Sequence, residues 1–226
     1  AFEKDPKLRW RVTRQDWERV KQYDKYRDVS EHILRRTSTA EAPWIVVEGT
    51  DPRYRNLTVG KVLLEALTSR LSHPFKERRS TAPPLLPAID NRHVLSTLDM
   101  DQALPKPEYK EALEHFQGRL NLLVRQPEFA HKALVAVFEG WDSAGKGGSI
   151  RRAAAAMDAR WYTVIPIGAP TEEELAQPYL WRFWRHIPQW GRVTIFDRSW
   201  YGRVLVERVE NLCSESAWMR AYNEIN

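Results

Sequence analysis

The segment EGWDSAGKGG, running from Glu139 to Gly148, places Gly140, four further residues, Gly145 and Lys146 at the spacing of a nucleotide-phosphate loop. Glycines let the backbone curl so that successive N–H groups point inward. Gly140, Ser143, Ala144, Gly145, Lys146, Gly147 and Gly148, with Arg151 and Arg152 beyond them, are therefore the candidate phosphate-binding residues. Lys146 adds a mobile positive charge, and Arg151 and Arg152 follow on the next segment. Gly147 stands where such loops usually carry a Ser or Thr whose hydroxyl helps to hold magnesium, so a carboxylate must take that role. Asp142, inside the loop, is the natural candidate, because a hard cation prefers oxygen ligands and keeps several waters. A second carboxylate, Asp197, ends the apolar run RVTIFD and is expected to share the magnesium. Arg198 and Arg203 are then placed to neutralise phosphoryl oxygens, although Arg203 and Glu207 are also spaced for a plain helical ion pair. Arg160, Arg182, Arg185 and His186 could extend a basic track, but the group around Arg182 reads better as a solvated face beside core aromatics.

These side chains need a scaffold that brings 142, 146 and 197 together. KALVAVFEG is a continuous apolar run of strand type, GKGGSIRRAAAAM is helical, and WYTVIPIG is a second strand. EEELAQPYLWRFWRHI is a helix interrupted at Pro178, RVTIFDRSW a third strand, and YGRVLVERVENLC helical again. The alternation predicts parallel strands joined by crossover helices, a P-loop NTPase-like three-layer α/β/α fold of nucleotide-kinase type. Ligands then sit at the carboxyl ends of the strands. Ahead of this region Leu113, Phe116, Leu120 and Leu123 form a helical stripe between Glu108 and Arg125. The first forty residues read as helices, APWIVVEGTD holds a short strand from Trp44 to Val47, and VGKVLLEALTSRL is an amphipathic helix. Between them, Pro74, Pro83, Pro84, Pro87, Pro105 and Pro107 interrupt regular structure and mark the best boundary.

The 226 residues include 42% hydrophobic side chains, enough for a core, and no apolar run of about eighteen that would span a membrane. No signal-type segment opens the chain, and the single Cys213 fits a reducing compartment, so a cytoplasmic location is expected. A net charge of +5 favours polyanionic partners.

VFEGWDSAGKGGSIRR and FDRSWYGRVLVERVE resemble the paired phosphate-loop and second-carboxylate motifs of type-2 polyphosphate kinases, which share the glycine at 147. LSTLDMDQALPKPEYKEALEHFQGRLNLL is similar to the helix that leads into the same catalytic domain, so the likeness runs from Val94 to Asn226. It implies transfer of a terminal phosphoryl group between inorganic polyphosphate and a nucleotide, with magnesium as cofactor. By matching position, Asp142, Lys146, Asp197, Arg198, Arg203 and Glu207 would form the active-site set, with metal at Asp142 and Asp197. Residues 1–72 look like the end of a preceding copy of the domain, 73–93 like a linker, and 94–226 like a second copy that stops before its basic lid. Tandem relatives of this kind resemble the class that converts AMP to ADP, which makes AMP the preferred acceptor and ADP the second choice. Other readings are an ATP-dependent nucleoside or nucleotide kinase and a non-catalytic polyanion or nucleic-acid-binding module. The front strand is expected either to complete the rear sheet or to pair with residues outside this chain, the alternative being two independently packed domains separated by the Pro-rich linker, favoured where the native polypeptide is longer; association with a second copy is also open.

Overall fold

A computed structural model describes residues 14–39, 42–72, 95 and 98–225. The linker at 73–93 and the first thirteen residues lie outside the described residues. The described part divides into two compact units. One contains residues 14–39, 42–44, 95 and 202–225, and the other contains 45–72 and 98–201. The division thus groups the segment after Trp44 with the alternating region.

In the larger unit, α3 (Pro52–Ser72) and α4 (Lys106–Val124) precede a 3-10 turn at Pro127–His131 and the strand β1 (Ala133–Phe138). Then come α5 (Lys146–Ala154), β2 (Tyr162–Pro166), the one-turn helices α6 (Glu172–Leu175) and α7 (Trp181–Trp184), and β3 (Arg192–Asp197). The three strands form a parallel sheet in the order β1-β3-β2. The central strand therefore has helices over both faces, and period-two alternation explains its continuous apolar character. Val193 and Ile195 pack into one cluster with Leu67 of α3, Leu120 and Val124 of α4 and Ile150 of α5. Phe196 turns the other way and meets Phe183 of α7 and Trp200 edge to face, with ring centroids 6.3 and 5.5 Å away. Thr194, on that same face, donates its hydroxyl to the His186 carbonyl at 2.9 Å. The three-layer arrangement expected from the alternation is the one observed.

The helix read from VGKVLLEALTSRL begins earlier, at Pro52. Asp51 supplies the reason: its Oδ1 accepts the N–H groups of Arg53 (2.7 Å) and Tyr54 (3.4 Å), and Pro52 fits the first helical position. Pro178 lies between α6 and α7, as expected, and a reciprocal capping box of Thr171 and Glu174 starts α6.

Two elements differ from the reading of the sequence. Trp44–Val47 is not a strand. Its backbone has no ladder partner among the described residues, the Trp44 N–H donates to Ser38 Oγ at 3.2 Å, the indole donates to Thr37 at 2.7 Å, and Ile45 is half exposed. A four-residue apolar run marks a segment able to pair, but pairing needs a neighbouring free edge in register. The stretch after Trp200 is also broken, into a 3-10 turn (Trp200–Val204) and the one-turn α8 (Val206–Val209), before α9 (Glu215–Ile225). Asn211, with φ of 56°, stops continuation.

The smaller unit is helical. α1 (Arg14–Lys21) and α2 (Tyr23–Thr37) match the helices expected at the front. α2 packs on α8 and α9, with the Tyr26 hydroxyl donating to Glu210 at 2.6 Å and Lys25 donating to the Val209 carbonyl at 2.8 Å. Among the described residues no helix is long and apolar enough to cross a membrane.

Candidate active site

β1 ends at Phe138 and α5 begins at Lys146, so residues 139–145 form a loop between a strand's carboxyl end and a helix N-terminus. Three of its residues have positive φ: Gly140 (144°), Ser143 (70°) and Gly145 (89°). Such a backbone turns consecutive N–H groups to one side, which is what anion binding needs. Lys146 is partly buried and its Nζ folds back, donating to the carbonyls of Gly140 (2.9 Å) and Trp141 (3.1 Å). Burial lowers the ammonium pKa, and the Arg198 charge adds to that, while Asp197, Asp142 and Glu139 pull in the opposite direction.

Sheet register brings the second carboxylate to this loop. Phe138 and Pro166 both pair with Asp197, so Asp197 sits at the point where all three strands end. The Arg198 N–H donates to the Phe138 carbonyl at 2.9 Å, and Arg198 itself takes a left-handed φ of 65°. Its guanidinium forms an ion pair with Asp142, 56 residues earlier. The sequence-derived core of Asp142, Lys146, Asp197 and Arg198 is therefore brought together at the carboxyl ends of the strands.

Other candidates fall differently. Arg151 is exposed on α5, and Arg152 donates to the Gly148 carbonyl at 2.9 Å. Arg160 is held by Asp158 through two bonds of 2.9 and 3.0 Å, an exposed local pair. Arg182 is buried and reaches Glu174 (3.2 Å) and the Gly168 carbonyl (3.0 Å), while Arg185 stacks over Trp181 at 4.7 Å. Both have structural partners, but Arg182 is buried and Trp184 exposed, so the solvated face beside core aromatics expected from the sequence fits only the exposed Arg185. Arg203 and Glu207 belong to the smaller unit, where they form an ion pair of 2.6 Å.

Three further residues stand at the site without a prior signal for their roles. Glu139 accepts both the N–H and the hydroxyl of Ser199 at 2.8 Å, and burial pushes its carboxyl up to about 7 against the opposing pull of those bonds, Arg198 and Lys146. Glu139 stands at the strand's carboxyl end, a position that could have drawn attention to it. The third is Arg55, at the start of α3. Its guanidinium lies against Gly145 so closely that a Cβ there would meet the Cζ at 1.9 Å. Nothing in the spacing of the sequence connects Arg55 with the loop.

No group of three or more His, Cys, Asp or Glu side chains among the described residues could hold a metal unaided. Two carboxylates beside a loop of this shape would suit magnesium, which commonly takes one or two protein carboxylates and completes its shell with water and phosphate oxygens.

The polyphosphate kinase 2 family model matches residues 1–74 and 103–226. A protein of Pseudomonas aeruginosa named polyphosphate:AMP phosphotransferase is 55% identical over 227 residues, covering 100% of this chain and 46% of that protein. One of the same name from Pseudomonas syringae pv. tomato is 53% identical, with 98% and 45% covered. A crystal structure described as a polyphosphate kinase 2 from Pseudomonas aeruginosa PA01 superposes with a TM-score of 0.58 at 52% identity, covering 95% of this chain and 43% of that one. The chain spans less than half the length of these relatives. Matched over most of its length and joined to the family's motifs by the geometry of its loop and second carboxylate, the chain belongs to the polyphosphate kinase 2 family.

Proposed function

We propose that this chain carries the phosphate-binding part of an enzyme that moves the terminal phosphoryl group of inorganic polyphosphate to a nucleotide, with AMP converted to ADP. The observation that carries the proposal is the meeting of Asp142, Lys146, Asp197 and Arg198 where the three strands end. The acceptor phosphate of AMP is largely an oxyanion near pH 7, so transfer asks for alignment and charge neutralisation rather than a strong base. Backbone N–H groups of residues 143–148 and the Lys146 ammonium would hold the phosphates, with Lys146 released from the carbonyls of Gly140 and Trp141. Arg198, turning from Asp142 towards the transferring group, would neutralise its equatorial oxygens. Asp142 and Asp197 would hold magnesium, which would supply positive charge against that developing on the transferring group.

The AMP preference is supported by the printed names of the relatives and by a tandem organisation, with 1–72 closing one copy, 73–93 linking, and 94–226 opening the next. The two separate stretches matched by one family model support that organisation. A cytoplasmic setting is part of the same proposal.

The test uses the native polypeptide that contains this chain, its length fixed by intact mass. It is incubated with magnesium, AMP and either long-chain polyphosphate or ATP as donor, and ADP is quantified by chromatography. Polyphosphate-dependent ADP is expected. ADP formed with ATP alone as donor would overturn the donor assignment, and conversion of only nucleoside diphosphates would overturn the acceptor.

A further inference from the structure

We propose that Arg55, together with Arg152, forms an additional subsite for one phosphate group at the Gly145–Gly148 edge of the loop. The inference rests on the phosphate-loop reading and extends it to a residue contributed by the segment in front of the Pro-rich stretch.

Arg55 reaches the loop from the first turn of α3. A Cβ on Gly145 would lie 1.9 to 2.3 Å from three atoms of its guanidinium, so the group is in contact with the bare face of that glycine. The point that a Gly148 Cβ would occupy lies 3.4 Å from Arg152 Nη1 and 3.9 Å from Arg55 Nη2. Two guanidinium groups thus converge on one spot at the N-terminus of α5. The whole neighbourhood is closely fitted, since a Cβ on Gly49 would meet the Ala144 carbonyl at 3.3 Å and Ser149 Oγ donates to Asn56 Oδ1 at 2.8 Å.

What the two guanidinium groups lack is a direct ion pair. Among the described residues no carboxylate forms an ion pair with Arg55 or Arg152. The acids nearest to Arg55 attract it without pairing with it: Glu48 accepts the Thr50 N–H through Oε1 and keeps Oε2 buried without a hydrogen-bond partner, and Asp51 accepts the N–H groups of Arg53, Tyr54 and Leu104. Arg55 keeps one bond to the Gly49 carbonyl (2.7 Å) and Arg152 one to the Gly148 carbonyl, which leaves most of their ten N–H donors for other acceptors. The Arg55 Nε–H is buried with no acceptor. Burial and the neighbouring Arg152 charge lower the Arg55 pKa by more than Glu48, Asp51 and Tyr109 raise it. A phosphate oxyanion between the two forks would relieve the repulsion and supply the bonds, a geometry that arginine matches well. The anion could be a unit of polyphosphate next to the one in the loop, or the phosphate of a nucleotide.

Tripolyphosphate and AMP serve as separate probes, titrated calorimetrically into the wild-type chain and into its Arg55→Gln, Arg55→Lys and Lys146→Ala variants. Melting temperatures are recorded with and without each probe. Arg55→Gln is expected to weaken one of the two by about tenfold or more, with Arg55→Lys recovering part of the loss. Its melting temperature without anion should stay unchanged or rise, because a like-charge contact has been removed. Weaker tripolyphosphate binding assigns the subsite to the chain of phosphates, and weaker AMP binding assigns it to the nucleotide. Unchanged affinity for both probes in Arg55→Gln, with Lys146→Ala still impaired, overturns the subsite and leaves the loop assignment standing. A wild-type chain that binds neither probe overturns both.

Discussion

Replacing Glu139 by glutamine tests the electrostatics of the loop while keeping its shape. The Glu139 carboxyl is pushed up to about 7 because burial penalises its charge by more than the two Ser199 bonds and the Arg198 and Lys146 charges favour it. Unfolded, it titrates near 4.5. Between these values the folded state binds the proton more tightly, so stability is greatest at the acid end and falls as pH rises towards 7. At about 1.4 kcal/mol for each pH unit, the interval corresponds to about 3 kcal/mol. Glutamine retains an oxygen for the Ser199 donors and has no proton to lose, but its amide needs an acceptor, which makes that figure an upper bound. Urea unfolding of both proteins in EDTA from pH 4.5 to 8 reads the effect as a difference in which other titrating groups cancel. The variant should gain on the wild type by up to about 3 kcal/mol between pH 4.5 and 7 and hold that gain above. A difference independent of pH would show that Glu139 ionises normally, and the account of burial would be wrong.

Lys146→Ala should lower phosphoryl transfer about a hundredfold or more. It should cost only about 1–2 kcal/mol of stability, since the ammonium's bonds are to two loop carbonyls; assay of turnover beside urea unfolding separates the two effects, and retained turnover would sink the assignment. Asp142→Asn and Asp197→Asn should each raise the magnesium concentration needed for half-maximal rate by about tenfold or more, and unchanged titrations in both variants would exclude them as ligands. Gly145→Ala combines a left-handed φ of 89° with a collision against Arg55, so a loss of about 1–3 kcal/mol is expected by thermal unfolding. An unchanged melting temperature would remove Arg55 from the loop. Proteolysis between Ser80 and Asn91 should leave two fragments that co-purify, because Leu67 of α3 packs into one core with Leu120, Val124 and Ile195. Fragments that separate and stay folded would contradict that packing.

The backbone course of the loop between β1 and α5 was legible in the sequence because it is a local property. Glycines at 140 and 145, the lysine at 146 and flanking strand and helix patterns specify a backbone turn without reference to the rest of the chain. The same holds for Asp197, whose place at a strand end follows from the four apolar or β-prone residues, 193–196, before it. The pairing of Asp142 with Arg198, the Ser199 donors on Glu139 and the closure of Gly145 by Arg55 were not legible, since each joins segments that only the fold brings together. The sheet order β1-β3-β2 decides the first two, because it sets the end of the last strand directly beside the end of the first. Packing of α3 on α4 and α5 decides the third. Trp44–Val47 shows the converse: its apolar pattern is strand-like, but a strand exists only where a free edge meets it in register, and hydrophobic spacing carries no information about that edge.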